Sequence, residues 1–322
     1  MKHSKSRAFV AAIAFGFTCA ASAQTFPAKS VRLIVPFPPG GGTDVVSRML
    51  GQKLTELWGQ QLIVDNRPGA SMMIGHELGT KAPPDGYTLV MSSNNHTINP
   101  SVYKTIPYDT VKDFAPVTLI GTSPLVLVVH PSLPVRTTKE LIALAKAKKG
   151  ELTYASSGSG GPLHMAGELF KLRAGVDLTH VPYKGSGPAE TDLVGGHVQV
   201  LFAGPVSASG HIKAGKMKPL AVTSLKRSRT FPNLLTISEE ALPGYEAGIW
   251  WGLLAPAATP REVINKLHTD FVKVLQMPDT QQKLLSQGGE PVGSTPEQFQ
   301  KMIATEIAQW AKVVKAANIK AD

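Results

Sequence analysis

The chain has 322 residues, of which 33 are basic and 23 acidic, giving a formal charge of +10 at pH 7; 43% are hydrophobic and 17% charged. At about 150 residues per domain this length predicts two domains, each able to bury a core, and the hydrophobic share excludes a mostly disordered chain. Thirty glycines and 25 prolines follow no period, so they punctuate loops rather than build a collagen-like or low-complexity repeat.

The first residues form a separate object. Lys2, Lys5 and Arg7 precede an apolar run from Ala8 to Ala20, and Ala21-Ser22-Ala23 supplies small residues at a cleavage position. A basic head, a short apolar middle and an A-x-A exit describe a secretory signal peptide over residues 1–23. The alternative, a membrane anchor, needs about 20 apolar residues, and this run is shorter. Cleavage after Ala23 removes three basic and no acidic residues, leaving +7 on 299 residues. The expected product is exported and free in solution. Cys19, the only cysteine, leaves with the leader, which excludes thiol catalysis, disulfides and cysteine-ligated metals from the mature chain. The remaining positive charge is scattered, as at Lys146, Lys148, Lys213 and Lys218, without a dense run or interleaved aromatics. It predicts a solvated surface with a mild general attraction for small anions, and no nucleic-acid partner.

Strand and helix signals then alternate. Val31–Val35 is a short β-branched run, followed by a Pro/Gly cluster and a helical stripe of Val45, Val46, Met49, Leu50, Leu54 and Leu57. Leu62–Val64 and Tyr87–Met91 are further strands, the latter announced by the Asp85-Gly86 turn. A second set follows: a strand at Leu125–Val129, a helix opened by Thr137-Thr138-Lys139-Glu140, and strands at 152–155, 178–181, 198–202 and 219–222. Thr259-Pro260-Arg261-Glu262 and Thr295-Pro296-Glu297-Gln298 each combine a capping threonine with proline at the first helical position. Behind them lie apolar stripes running from Val263 to Leu275 and from Phe299 to Val314. Repeated β-α-β units predict an α/β protein with parallel sheets flanked by helices. Two such domains facing one another leave a cleft at the carboxyl ends of their strands.

Two glycine-rich loops carry the functional signal. The first, Pro36-Phe37-Pro38-Pro39-Gly40-Gly41-Gly42-Thr43-Asp44, joins the first strand to the first helix. The second, Ser156-Ser157-Gly158-Ser159-Gly160-Gly161-Pro162, occupies the same place in the second set. Glycine lets backbone approach a ligand closely, and the helix that follows offers unpaired amides at the positive end of its dipole. Together these suit a carboxylate or phosphate. A plain turn capped by Thr43 or Asp44 is the alternative for the first loop taken alone. Neither loop ends in Gly-Lys-Ser/Thr, and the first lacks the third glycine of a dinucleotide fingerprint. A degraded G-x-S-x-G around Ser159, with Asp192 and His197 or His211 as partners, leaves a secreted serine hydrolase as a rival. His164, His180, His197 and His211 are dispersed without metal-ligand spacing, so neither a metal nor a cofactor is expected.

From the signal peptide and Val31–Gly41 onward, the sequence resembles the Bug-type family, the extracytoplasmic solute receptors of tripartite tricarboxylate transporters. The likeness continues through Asn66–Ala70, Pro84–Leu89, Asn99-Pro100, Tyr154–His164, Val181–Gly185, Ile212–Lys216, Trp251-Gly252-Leu253 and Thr259-Pro260. The resemblance implies a two-domain, type II periplasmic-binding-protein fold of the Venus flytrap kind. One domain is expected from 24–123 and 226–322, the other from 124–225. It also implies a carboxylate held by amides, hydroxyls and water, between Pro38–Thr43 of one domain and Ser156–Gly161 of the other. Phe37 and Asp44 flank the first of these. Tyr183 and Lys184 are expected to line the cleft, and Asn94, Asn95 and Thr97 to meet the distal end of the ligand. The family usually has two glycines where Ser71 and Met72 stand, which narrows the cleft. It often has an acidic residue where Ala203 stands, which leaves a ligand amino group without a partner. The implied ligand is a small organic carboxylate with an uncharged remainder, delivered by a monomeric, non-enzymatic receptor to membrane permease subunits. A sensor handing its liganded form to a signalling partner is the rival within the binding class.

Overall fold

A computed structural model describes residues 26–320. The predicted signal peptide, its cleavage site and Cys19 lie outside the described residues. The chain begins with β1 (Val31–Val35), α1 (Gly42–Trp58), β2 (Leu62–Asn66), a 3-10 turn (Ala70–Met72), α2 (Met73–Thr80), β3 (Thr88–Ser92), α3 (Asn95–Val102) and β4 (Phe114–Pro124). It continues with β5 (Val126–Val129), α4 (Thr138–Ala147), β6 (Thr153–Ser156), α5 (Pro162–Ala174), β7 (Thr179–Pro182), α6 (Ser186–Val194), β8 (Val200–Ala203), α7 (Pro205–Lys213) and β9 (Lys218–Val222). It ends with α8 (Ile237–Glu240), β10 (Gly248–Pro256), α9 (Arg261–Leu275), α10 (Pro278–Ser286), β11 (Glu290–Pro291) and α11 (Pro296–Ala317).

These strands make two sheets flanked by helices, ordered β11-β4-β10-β3-β1-β2 and β7-β6-β8-β5-β9. Each holds a parallel trio, β2-β1-β3 or β7-β6-β8, as strand–helix alternation predicts. Each also holds antiparallel strands, β10 and β4 in one and β5 and β9 in the other, which alternation does not predict. These additional strands carry the chain between the sheets, and Leu125 alone separates β4 from β5. Neither β4 nor β10 is legible from apolar runs, because Pro116, Gly121, Gly248 and Gly252 interrupt them. Two register shifts in the β4–β10 ladder absorb that irregularity. Gly252 is required where it stands: a Cβ there would overlap the fully buried Phe299 ring of α11.

The passages between lobes are stitched at one level. Leu125 N–H donates to Thr223 Oγ1 (2.7 Å), Thr223 N–H to Leu125 O (3.0 Å), and Ala247 N–H to Thr223 O (3.1 Å). The return to the first sheet comes at Gly248, later than the expected boundary at 226. Ile237, Leu242 and Tyr245 sit in the core of the second lobe with Leu127 and Phe170, and Tyr245 Oη donates to Ala166 O (2.8 Å). α11 serves both lobes. Phe299 and Ile303 pack against the first sheet, while Trp310, Val313 and Val314 join the core of the second lobe.

The helix starts are close to their sequence signatures. Thr295 and Gln298 form a reciprocal capping box, and Thr137 accepts from Glu140 N–H. α9 starts one residue later than its signature, with Pro260 at the cap and the Thr259 hydroxyl donating to Pro256 O (2.7 Å). Among the described residues, no helix is long and apolar enough to cross a membrane.

Candidate ligand site

β6 ends at Ser156, and the chain turns through Ser157–Gly161 before α5 starts at Pro162. Gly158 (φ 140°) and Gly160 (φ 72°) occupy backbone conformations that would strain any other residue. The turn is braced from beneath. Gly158 N–H donates to Ser156 Oγ (3.3 Å), which lies 2.6 Å from His180 Nε2, and Gly160 N–H donates to His164 Nδ1 (2.9 Å). Among the described residues, the amides of Ser159 and Gly161 donate to no backbone acceptor. They stand at the positive end of α5, where an anion is stabilised.

A cavity of about 230 Å³ opens on this turn, with Ser157, Gly158, Ser159, Gly160 and Gly161 on one side. Ser71, Asn95, Asn99, Val102 and Tyr103 of the other lobe face them, and Lys320 completes the wall. Val102 Cγ1 lies 3.7 Å from where a Gly160 Cβ would stand, so the lobes come together at this point. The first-lobe wall follows β2 and β3 and the second-lobe wall follows β6. The cavity therefore sits at the carboxyl ends of the parallel strands of both sheets, where open α/β sheets take ligands.

The first-lobe wall is preset. Ser71 Oγ and Tyr103 Oη are 2.7 Å apart, and Asn99 Nδ2 donates to Ser71 O (2.8 Å). Ala70, Ser71 and Met72 have φ of 45°, 50° and 76°. Three consecutive non-glycine residues in the left-handed region cost about 1–2 kcal/mol each. Such strain collects where a surface must be held in shape for a task. Among the described residues, Lys320 is the one cation on the wall, and none of them brings a carboxylate to it.

Other expected contacts lie elsewhere, and each has a structural reason. The first loop does not reach this cavity: Pro38, Pro39, Gly40, Gly41 and Gly42 are exposed, and Phe37 packs at the edge of the first core. Asp44 is drawn inward and buried. Its carboxylate accepts from Gly40 N–H (2.9 Å), Arg48 Nε (3.0 Å) and Asn66 Nδ2 (2.9 Å), and these bonds hold it below the usual carboxylate range against the opposing effect of burial. Thr43 Oγ1 accepts from Trp251 Nε1 (3.1 Å), and helix α1 is capped at Gly41 rather than at Thr43 or Asp44.

The Asn94 amide is committed to β10, donating to Gly248 O (2.9 Å) and accepting from Trp250 N–H (3.1 Å). Thr97 Oγ1 donates to Glu306 on α11 (2.7 Å). Met72 is buried, and Ser156 is buried beneath the turn it braces. Tyr183 Oη donates to Asp192 (2.6 Å), Lys184 is exposed and is not part of the cavity wall, and Ala203 is wholly enclosed in the second core. Of the first-lobe candidates, Ser71 and Asn95 do line the cavity. Asn99, Val102, Tyr103 and Lys320 join them without having been expected. The Asn99-Pro100 pair is the only sequence signal for any of these.

Ser159 is exposed, and among the described residues its hydroxyl makes no hydrogen bond to a histidine, while Asp192 is engaged by Tyr183. A nucleophile–base pair centred on Ser159 is therefore not assembled. Among the described residues, no group of three or more histidine, cysteine, aspartate or glutamate side chains could hold a metal.

Two α/β lobes with a cavity between them at their strand ends define the two-domain class of periplasmic solute-binding proteins. The family model described as a tripartite tricarboxylate transporter family receptor matches residues 46–319, and the chain belongs to that family. It is 39% identical over 307 residues to BugT of Bordetella pertussis, covering 95% of this chain and 94% of that protein. Among solved structures, it is similar to an R. palustris protein with adipate, at 38% identity and TM-score 0.77, covering 92% of this chain and all of the other. It is also similar to MatC from Rhodopseudomonas palustris with bound malate, at 29% identity and TM-score 0.72, covering 90% of this chain and all of the other. The relatives are solute-binding receptors rather than enzymes, and members of the family are periplasmic.

Proposed function

We propose that this protein captures a small organic carboxylate between its lobes and delivers it to the permease subunits of a tripartite tricarboxylate-type transporter. The observation that carries this reading is the charge pattern of the cavity. Among the described residues, it has uncommitted amides at the α5 N-terminus, hydroxyls of Ser157 and Ser159, a lysine, and no carboxylate on its wall. A carboxylate would sit on the Ser157–Gly161 turn, and Asn95 with Asn99 would meet the rest of the ligand from the opposite lobe. Charge-assisted bonds of about 1.5–3 kcal/mol each give micromolar affinity from a few contacts, without an arginine clamp. The volume favours a small acid, since drug-sized ligands occupy about 300–1,000 Å³. Malate in MatC and adipate in the R. palustris protein are ligands of this class.

The lobes would open and close about the Leu125–Thr223 crossing, with the ligand favouring the closed form by its greater affinity for that form. The loop exposed at Pro38–Gly42 holds the same position in its lobe as the Ser156–Gly161 turn, and we place it at the mouth of the cleft. The mature protein is expected to act in the periplasm as a monomer. A thermal-shift series over straight-chain mono- and dicarboxylates, including malate and adipate, tests the reading. A binder at 100 times its dissociation constant stabilises the fold by about 2.7 kcal/mol. No shift with any acid of the series, together with a shift by an uncharged or cationic solute, would contradict it.

A further inference from the structure

Beneath the Ser157–Gly161 turn lies a side-chain cluster that does not line the cavity. His164 and His180 stack with ring centroids 3.9 Å apart and planes within 10°, and Tyr154 lies against both. Glu168 accepts from Tyr154 Oη (2.5 Å) and Lys171 Nζ (2.9 Å), and its carboxylate is 3.9 Å from His164 Nε2. These four groups, Tyr154 from β6, His180 from β7, and Glu168 and Lys171 from α5, are the titratable neighbours that face His164. The bond from Gly160 N–H fixes the state of that ring. A backbone amide only donates, so His164 Nδ1 must be unprotonated, with the ring proton on Nε2.

The first lobe has the same device in a different material. Gly40, like Gly160, has a positive φ (84° against 72°), precedes a glycine cap, and donates its amide to a side chain four residues on. There the acceptor is the Asp44 carboxylate, at 2.9 Å. In both lobes the third residue of the helix therefore ties down the glycine turn in front of it.

We infer that His164, supported by His180, is a positioning residue for carboxylate binding: as a neutral imidazole it pins Gly160 and so aims the Ser159 and Gly161 amides into the cavity. Protonation at Nδ1 would turn the acceptor into a donor facing Gly160 N–H. The turn would then be released and affinity lost, while the Asp44 copy in the first lobe keeps its acceptor. Burial pushes His164 down to about 4, aided by the Lys171 charge, which keeps the tie intact at neutral pH. His180 is pushed to about 4 by burial and by the charge of a protonated His164, so the stacked pair resists taking up even one proton.

This inference rests on the carboxylate reading above, and its test separates the two. Hydrogen exchange of the Gly160 amide needs no ligand. It should be slow in the wild-type chain, at least tenfold faster in His164→Leu, and slow again in His164→Asn, which restores a neutral acceptor. Titration with malate and adipate should show at least a tenfold weaker affinity in His164→Leu and recovery of most of that loss in His164→Asn. On acidification, affinity of the wild-type chain should fall faster than that of His164→Asn at every pH where both remain folded by near-ultraviolet circular dichroism. Unchanged Gly160 exchange in His164→Leu, or parallel acid profiles for wild type and His164→Asn, would overturn the inference. Slow exchange and rescue as expected, but no binding of either acid to any variant, would count against the carboxylate reading and leave the tie standing.

Discussion

Gly161→Asp is expected to fold at least as well as the parent chain and to lose at least about 100-fold in carboxylate affinity. The separation of the two effects follows from the backbone. Gly161 is the N-cap of α5 at φ −83° and ψ 169°, ordinary extended geometry that aspartate adopts without strain, and an added Cβ meets only Gly158 O at 3.7 Å. Aspartate is among the best capping residues, and replacing it by alanine typically costs about 1 kcal/mol. The same carboxylate would stand where the ligand's own is held. Two unit charges 4 Å apart repel by about 4 kcal/mol at an effective dielectric of 20, close to a thousandfold before screening by solvent. Calorimetric titration and thermal unfolding of the variant check both halves. Retained affinity would remove the Ser157–Gly161 turn from the site.

Stability is expected to fall steeply on acidification below neutrality, because several imidazoles are buried neutral. His76 is fully enclosed between Met72 O, Ser92 Oγ and the rings of His96, Tyr108 and Phe114, and burial pushes it down to about 4. His96 is pushed well below 6.5 by burial and by the charge of a protonated His76, and neither of its ring nitrogens has a hydrogen-bond partner among the described residues. The unfolded chain takes up protons on these rings near pH 6.5, whereas the folded chain resists them until about pH 4. Across that window the unfolded state binds more protons, so stability drops as pH falls. For His76 alone the difference is worth about 3 kcal/mol, a large fraction of the roughly 5–15 kcal/mol of a whole domain. Urea midpoints measured between pH 7.5 and 4.5 should decline throughout. His96→Phe, which keeps the ring stack and removes a titrating group, should flatten the decline. A level profile for the parent chain would show that these rings are not held neutral.

What the sequence reveals and what it hides divide along physical lines. The parallel trios are legible because β1, β3, β6 and β8 are short β-branched or apolar runs between glycine turns and amphipathic helices. β4 and β10 are hidden, since a strand broken by proline and glycine tolerates that composition only with register shifts that appear once its partner is known. The Ser157–Gly161 turn is legible because its conformation demands glycine at 158 and 160. The opposite wall is not. Ala70, Ser71 and Met72 adopt glycine-like angles without being glycine, and Tyr103 and Lys320 arrive from a helix end and the C-terminal tail, far apart in sequence. The first loop stands apart from the cavity for a related reason. Its glycines serve a turn tied to Asp44, and nothing in the sequence distinguishes a tied turn from one that faces a cavity. Asn94 and Thr97 bond to β10 and α11, because polar side chains beside a cleft serve equally well to fasten α3 in place.

The central claim is that a carboxylate is gripped between the amide turn of the second lobe and the asparagine-bearing wall of the first. A crystal structure with an acid that gives a thermal shift tests it most directly. The predicted result is a carboxylate within hydrogen-bond reach of the Ser159 and Gly161 amides, with Asn95 or Asn99 on its far side. An acid bound wholly within one lobe, or away from residues 157–161, would contradict it.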